Sequence, residues 1–192
     1  MNKQENEELV SMANKNGVPA IIAKRGEKVP HFFPCFSAVI LTNTKGNIIL
    51  HKNAFTKTFD PGCWSYSAAG AVGAGETYEQ AAERELLEEL NVKAKIHASI
   101  GLIPVIREGE LKAFHHVFWV ISDDPITPDS FEIAEIGEFT SSKLNKMIVE
   151  TPDQFSKTFV RAFVLWKELS SKKQKNLMVQ RVYDWKKNEK ND

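Results

Sequence analysis

The chain has 192 residues, of which 25 are basic and 25 acidic, so its formal net charge is zero. This length is typical of one domain, and 42% apolar with 26% charged residues excludes a disordered or collagen-like polypeptide. Balanced charge removes the electrostatic basis for a dedicated duplex-DNA binder, and no apolar run approaches the ~20 residues that span a bilayer. A polar N-terminus and two widely separated cysteines, Cys35 and Cys63, indicate free thiols in a cytoplasmic protein.

The first predicted elements are a polar N-terminal segment and a β-hairpin. We interpret residues 1–30 as an N-terminal extension with a short helix at residues 7–14. The apolar run Cys35–Leu41 begins the core, and Ile48–His51 follows after an Asn/Gly-containing turn at residues 43–46. Two β-rich runs around such a turn predict a hairpin.

Strands and helices then alternate along the chain. Residues 77–90 have strong helical propensity, and residues 96–106 and 111–121 predict two strands, the second of them largely apolar and therefore central in a sheet. The run Thr151-Pro152-Asp153-Gln154 has the N-cap, proline and capping-box pattern of a helix start, and this helix should end near Leu169. We expect an α/β sandwich around a mixed β-sheet over residues 31–170, followed by a Lys-rich helix or tail at residues 171–192.

One segment, residues 70–92, carries residues suited to chemistry. Glu85, Glu88 and Glu89 are spaced i, i+3, i+4 and fall within one arc of the predicted helix. Carboxylates crowded on one face repel each other, and a hard divalent cation such as Mg²⁺ reverses that repulsion. Gly70 and Gly73 precede the helix and allow the backbone to approach a ligand closely. Taken alone, a Glu-rich face of this kind is more often solvated surface.

The spacing of the whole segment is more specific than any of its parts. Gly70 is followed after five residues by Glu76, after seven more by Arg84-Glu85-Leu86, and after one more by Glu88-Glu89. This pattern resembles the Nudix box of the Nudix hydrolase family. One position departs from it, because Asn91 stands where the family has Gly. Asn is the best non-Gly residue for a left-handed helix C-cap, so the departure should be structurally mild.

The resemblance implies a Nudix α/β/α sandwich and an enzyme that cleaves a pyrophosphate linkage by attack of water on phosphorus. The expected substrate is a small-molecule diphosphate, a nucleoside diphosphate joined to another group, and nucleic acid is not expected. The expected cofactor is Mg²⁺ or Mn²⁺. Its implied ligands are Glu85, Glu88 and Glu89, with the Gly70 carbonyl as an additional ligand. Glu76 and Arg84 occupy matching positions in the box, and the resemblance implies that they form an ion pair between the loop and the helix.

Other roles follow less directly from the resemblance. The general base varies within the family, and the candidates here are Glu89 and, outside the box, Glu135 in preference to Glu132. Lys52 and Lys57 lie where basic residues contact diphosphate in a narrower branch, which contains uncharacterised bacterial Nudix hydrolases and the isopentenyl diphosphate isomerases. Trp64 and Tyr66 lie close to the box in sequence and are candidates for shaping the substrate cleft.

Three alternatives remain open. An isomerase of that branch uses a Cys before a Gly-His pair, where this chain has Ala69-Gly70-Ala71, so isomerisation is disfavoured. A non-catalytic Nudix module that senses a nucleotide would be expected to lack box carboxylates, and all of them are present. RNA-end processing would use the Lys-rich tail after Ser170.

A homodimer is one option for the oligomeric state.

Overall fold

The fold is given by a computed structural model that describes residues 8–188, with side chains described as far as residue 172. The strands are β1 Leu9–Ala13, β2 Pro19–Lys24, β3 Phe33–Thr42, β4 Ile48–Asn53, β5 Ala68–Ala71, β6 Ile96–Arg107, β7 Glu110–Ile121 and β8 Ile133–Phe139. The helices are α1 Tyr78–Leu90, α2 Ser141–Glu150 and α3 Lys157–Asn188, and a short 3₁₀ turn covers Pro152–Gln154.

Strand β3 is the centre of a mixed sheet. It runs parallel to β7, from Cys35 opposite Phe114 to Thr42 opposite Ile121, and antiparallel to β1, β4 and β5. The sheet continues through β8 beside β4 and through β6 beside β7. One cluster of buried side chains joins the sheet to α1, and a second joins its other face to α3. The expected α/β sandwich around a mixed sheet is therefore confirmed, with helices on both faces.

The locally encoded elements form where the sequence predicts them. The hairpin pairs Leu41 with Ile49 and Thr42 with Ile48. Helix α1 begins after Thr77, whose side chain and that of Gln80 form a reciprocal capping box. It ends at Asn91, which adopts the left-handed conformation with φ 55°. The two later strands are confirmed as β6 and β7, and β7 is central because it pairs with both β3 and β6.

The helix predicted at residues 7–14 is wrong, because strand β1 occupies residues 9–13. Val10, Met12 and Ala13 are buried, and Met12 pairs with Pro34 of β3. The Ser11 amide also donates to the carbonyl of Val72, 2.8 Å away. These contacts are distant in sequence and outweigh a weak local helix preference. The predicted N-terminal extension therefore contributes β1 and β2 to the sheet, while residues 1–7 lie outside the described part of the chain.

The helix predicted to start at Thr151 is also wrong in its position. Thr151 instead ends α2, its amide donating to Met147, and residues 152–154 make only a 3₁₀ turn. Phe155 is extended and buried in the α3-side cluster, and the Trp64 amide donates to the Gln154 carbonyl at 2.8 Å. Burying Phe155 delays the start of the helix to residue 157. Strand β8 and helix α2 are not among the elements predicted from the sequence.

Helix α3 continues past the predicted end at Leu169 as far as Asn188. The Lys-rich segment predicted at residues 171–192 is thus helical over its described part, and its last four residues lie outside the description. None of the helices in residues 8–188 combines the length and apolar character needed to cross a membrane.

Candidate active site

Gly70 and Glu85 are in close contact where β5 approaches α1. Gly70 pairs with Ser37 of β3, and a Cβ atom added to Gly70 would lie 1.9 Å from Glu85 Oε1. No side chain fits in that space unless Glu85 moves. The glycine expected to allow close approach is therefore required by a carboxylate of this chain.

Arg84 binds the loop before α1 to the helix. Its Nε and Nη2 atoms donate to the two oxygens of Glu76, at 2.8 and 2.9 Å, and Nη2 also donates to the Ala71 carbonyl at 2.9 Å. Glu76 accepts a further hydrogen bond from the Gly73 amide at 2.8 Å. The hydrogen bonds from Arg84 hold the pKa of Glu76 below its usual value. The loop geometry before α1 thus depends on this bidentate pair.

The remaining guanidinium nitrogen of Arg84 contacts two further carboxylates of α1. Arg84 Nη1 donates to Glu85 Oε1 at 2.6 Å and to Glu88 Oε2 at 3.0 Å. Burial raises the pKa of Glu85 to about 7, although the neighbouring Arg84 opposes that rise. Glu88 is more exposed, with 57% of its side chain accessible. Two acidic side chains of the predicted metal set are therefore arranged around a positive charge.

Glu89 lies apart from the other two carboxylates, because its side chain is buried against β4. His51 Nδ1 lies 3.3 Å from Glu89 Oε2 and 3.1 Å from the Ser67 carbonyl oxygen. His51 Nε2 lies 2.9 Å from Asn53 Oδ1. Glu89 Oε2 is buried and has no hydrogen-bond partner among the described residues.

Sequence reasoning missed His51. A signal was available, because Ile49 and His51 alternate along β4 with Ile48 and Leu50, which are buried on the α3 side, so that Ile49 and His51 share the face toward α1. A histidine at a core-facing position of a strand needs polar partners. The identity of those partners depends on α1 and on residues 65–67, which are distant in sequence.

The donor set fits a hard divalent cation, although the carboxylates do not converge in this structure. Among the described side chains, no group of three or more His, Cys, Asp or Glu residues is close enough to hold a metal ion. Glu85, Glu88 and Glu89 nevertheless supply oxygen donors on one helix, which are the ligands that Mg²⁺ prefers. The close approach of the Gly70 backbone to the Glu85 carboxylate, which no side chain separates, agrees with a site for a small cation that both would contact.

Lys52 and Lys57 are each paired with one of the acids considered as a base. Lys52 Nζ lies 3.7 Å from Glu135 Oε2, and Lys57 forms an ion pair with Glu132. Glu135 belongs to strand β8 and not to a loop. Because Lys52 follows His51 directly in β4, its side chain leaves the opposite face of the sheet. The structure therefore does not bring Lys52 and Glu135 onto the face where Glu89 lies.

Trp64 and Tyr66 belong to the core and not to an open cleft. Both are buried in the α3-side cluster, where Trp64 packs edge-on against Phe139 and Tyr66 against Phe159. Lys52 Nζ lies 5.6 Å from the centre of a Trp64 ring. The large apolar surfaces of Trp64 and Tyr66 attach α3 to the sheet, and their part in shaping a substrate cleft stays a prediction.

Three observations define the class of this protein: its fold, the carboxylates on α1, and the match of its sequence to a protein family. The model of the NUDIX domain matches residues 32–163. The chain belongs to the Nudix family, and it is a pyrophosphate-cleaving hydrolase.

Similar proteins include both hydrolases and isomerases. The chain is 28% identical to an isopentenyl-diphosphate Delta-isomerase of Corynebacterium diphtheriae over 164 residues, which cover 78% of this chain and 87% of the relative. It is 30% identical to an uncharacterised Nudix hydrolase of Listeria innocua, over 64% of this chain and 73% of that protein. The crystal structure of DR0079 from Deinococcus radiodurans superposes with a TM-score of 0.61 at 23% identity, covering 83% and 98% of the two chains. At 23% identity, the similarity to DR0079 shows a shared fold.

Proposed function

We propose that this hydrolase is metal-dependent and cleaves the pyrophosphate linkage of a nucleoside diphosphate joined to another group. The observation that supports this most directly is the set of carboxylates on α1, two of which already surround the cation of Arg84 at 2.6 and 3.0 Å. Such a set has a high affinity for positive charge, and a diphosphate ester needs positive charge to be stabilised during attack.

Glu85, Glu88 and Glu89, with the Gly70 carbonyl, would hold Mg²⁺ or Mn²⁺. The bound cation neutralises phosphate charge and makes water a better nucleophile near neutral pH. Arg84 would then be retained by Glu76 and Ala71, its contacts outside the carboxylate set. Metal dependence is tested by removing divalent ions with a chelator and restoring them singly. Activity that survives chelation would contradict the proposal.

Glu89 is the base that we favour over Glu135. Glu89 shares α1 with the other two carboxylates. Glu135 is paired with Lys52 on the other face of the sheet, and 57% of its side chain is exposed. Lys57, in the loop after β4, would attract the diphosphate, which would compete with Glu132 for its ammonium group. Lys52 leaves the sheet on the face opposite Glu89, so the geometry favours Lys57 over Lys52 for this role. A general base typically contributes about 10²- to 10⁴-fold to the rate.

The deciding experiment combines a substrate screen with matched carboxylate variants. Nucleoside diphosphate sugars, dinucleoside polyphosphates, nucleoside triphosphates and isopentenyl diphosphate are each incubated with Mg²⁺ or Mn²⁺, and products are separated chromatographically. For any substrate that is cleaved, Glu89→Gln should lower kcat by about 10²-fold or more. Glu135→Gln and the control Glu132→Gln should each lower it less than about tenfold, as expected for exposed ion pairs. The reverse order would identify Glu135 as the base.

Isomerisation of isopentenyl diphosphate is the second candidate, favoured by similarity to an enzyme of that name. The sequence Ala69-Gly70-Ala71 offers neither a thiol nor an imidazole at the position expected for the isomerases. The screen separates the two activities, because isomerisation changes the double bond and releases no phosphate. A nucleotide-sensing module would instead bind nucleotides tightly without turnover of any substrate.

We further propose a cytoplasmic location for the protein and a small molecule as its partner. Both cysteines are free thiols among the described residues, and Cys35 is buried. This agrees with the reducing cytoplasm that we propose for the protein. The proposed partner is a small-molecule diphosphate, and size measurement in solution would decide between a monomer and a homodimer.

A further inference from the structure

We infer that His51 is a positioning residue for Glu89, and this inference rests on the proposed function of Glu89. The ring would hold Glu89 Oε2 inside the protein, so that the other oxygen of the carboxylate is the one available to cation and substrate. The basis is the contact of 3.3 Å between His51 Nδ1 and Glu89 Oε2, both on buried side chains.

The orientation of the His51 ring is determined by groups other than Glu89. The Ser67 carbonyl can only accept a hydrogen bond, so the Nδ1 atom 3.1 Å away carries the hydrogen and donates. On the other side of the ring, Nε2 lies 2.9 Å from Asn53 Oδ1. Asn53 is oriented in turn, because its Nδ2 donates to the Asp60 carbonyl at 2.9 Å. Both ring nitrogens therefore face oxygen atoms of other residues, and Ser67 and Asn53 define the position of the ring before Glu89 is considered.

The contact with Glu89 is electrostatic and falls short of a hydrogen bond, because the Nδ1 hydrogen points at Ser67. A buried carboxylate oxygen without any nearby positive atom is costly. The Nδ1–H edge of His51 is the polar group that offsets this cost at Glu89 Oε2, which has no hydrogen-bond donor among the described residues. Without this edge, we expect the Glu89 side chain to rotate away from β4 and to lose its fixed position relative to Glu85.

The same network reaches the loop between β4 and β5. Asn53 donates to Asp60 in that loop, and Lys57, a proposed diphosphate contact, lies in the same loop. His51 therefore connects the position of the loop to that of the carboxylate on α1. Groups that support a metal ligand in this way typically change metal affinity or activity by about 10- to 100-fold when they are replaced.

Two amide substitutions separate positioning from simple loss of a ring. In His51→Asn the side-chain amide nitrogen can occupy the place of Nδ1, whereas in His51→Gln it can occupy that of Nε2. We expect His51→Asn to retain kcat within about threefold of the parent, and His51→Gln to lose at least about tenfold in kcat with little change in KM. The matched control is His116→Asn. His116 is a strand histidine whose ring contacts Ser99 and Tyr78 and not a carboxylate proposed to bind metal, so this variant should leave kcat unchanged.

Metal binding provides a readout that does not depend on finding a substrate. Titration calorimetry with Mn²⁺ should give an affinity about tenfold weaker in His51→Gln than in the parent or in His51→Asn. If the parent cleaves nothing, the proposed hydrolysis fails while calorimetry still decides the role of His51. Should His51→Gln not fold, Asn53→Ala, which releases the ring at Nε2, should weaken Mn²⁺ binding instead. Equal Mn²⁺ affinities in the parent and the folded variants, or equal losses in the Asn and Gln variants, would overturn the inference.

Discussion

Lys52 lies directly opposite Glu135 in the β4–β8 ladder, with Lys52 Nζ 3.7 Å from Glu135 Oε2. The Glu135 side chain is more than half exposed, so this pair contributes at most about 1 kcal/mol to stability. Lys52 also lies over the ring of Trp64 on the α3 side of the sheet, so this pair is separated by the sheet from the carboxylates of α1.

Replacing Lys57 should affect substrate binding more than the chemical step. We expect Lys57→Gln to raise KM about tenfold, because one charge-assisted contact is lost, with kcat changed less than about threefold. The measurement is steady-state kinetics with the best substrate from the screen. Lys52→Gln is the control, because Lys52 leaves the sheet on the face opposite Glu89 and should leave KM unchanged. A fall in kcat alone would contradict a binding role for Lys57.

Removing Arg84 should destabilise the protein as well as inactivate it. Arg84→Ala leaves the partly buried carboxylates of Glu76 and Glu85 without their cation. Breaking a fully buried pair costs about 3–5 kcal/mol. Because about a third of Arg84 is exposed, we expect the free energy of unfolding to fall by about 2 kcal/mol. Urea denaturation measures this difference. Glu88→Gln, at an exposed position of the same helix, should change stability by less than about 0.5 kcal/mol. Similar losses in both variants would refute a structural role specific to Arg84.

The close contact of Gly70 with Glu85 can be tested by a double-mutant cycle. Gly70 does not have a positive φ, so alanine suits its backbone, and the three atoms nearest to the new methyl group all belong to the Glu85 carboxylate. Gly70→Ala should lower stability by about 1–3 kcal/mol, as expected for overpacking. The same substitution should cost less than about 0.5 kcal/mol when Glu85→Ala is already present. Additive effects in thermal or urea unfolding would mean that the two residues do not compete for this space.

His115 should make stability depend on pH between about 4 and 6.5. Burial, assisted by the positive charge of Arg107, lowers the pKa of His115 to about 4. In that interval the unfolded chain binds the His115 proton and the folded chain does not, so the contribution of His115 to stability rises with pH, by up to about 1.4 kcal/mol per unit. Glu85, whose folded pKa of about 7 is raised, contributes in the opposite direction in both proteins compared below. The contribution of His115 levels off above 6.5. His115→Leu removes this contribution. The free energy of unfolding of the parent should therefore rise relative to that of His115→Leu as the pH increases from 4 to 6.5. Parallel curves for the two proteins in urea unfolding at several pH values would contradict this assignment.

The elements predicted correctly are those whose signals are local. Helix α1 has a capping box at Thr77 and Gln80 and a left-handed cap at Asn91, all within a single stretch of 15 residues. The β3–β4 hairpin likewise depends on a short turn between two apolar runs. Interactions of this kind operate between residues close in the chain, so sequence patterns describe them well.

The elements predicted wrongly depend on partners far along the chain. The segment at residues 9–13 is a strand because β3 and Val72 offer hydrogen bonds to it. Phe155 interrupts the predicted helix because Trp64, about 90 residues earlier, pairs with it in an isolated bridge. Local propensity differs by only fractions of a kcal/mol per residue, so burial and pairing of this kind prevail.

The sequence by itself determined the family and the order of acidic residues along α1, because helical periodicity alone brings positions 85, 88 and 89 onto one arc. Helical spacing likewise places Arg84 beside Glu85 and Glu88. Tertiary structure decided what Glu89 faces, because His51 of β4 lies against it. It also placed Lys52 and Glu135 together on the opposite face of the sheet. These contacts join separate strands and a helix, and their distances follow from packing of the whole core, which no local pattern encodes.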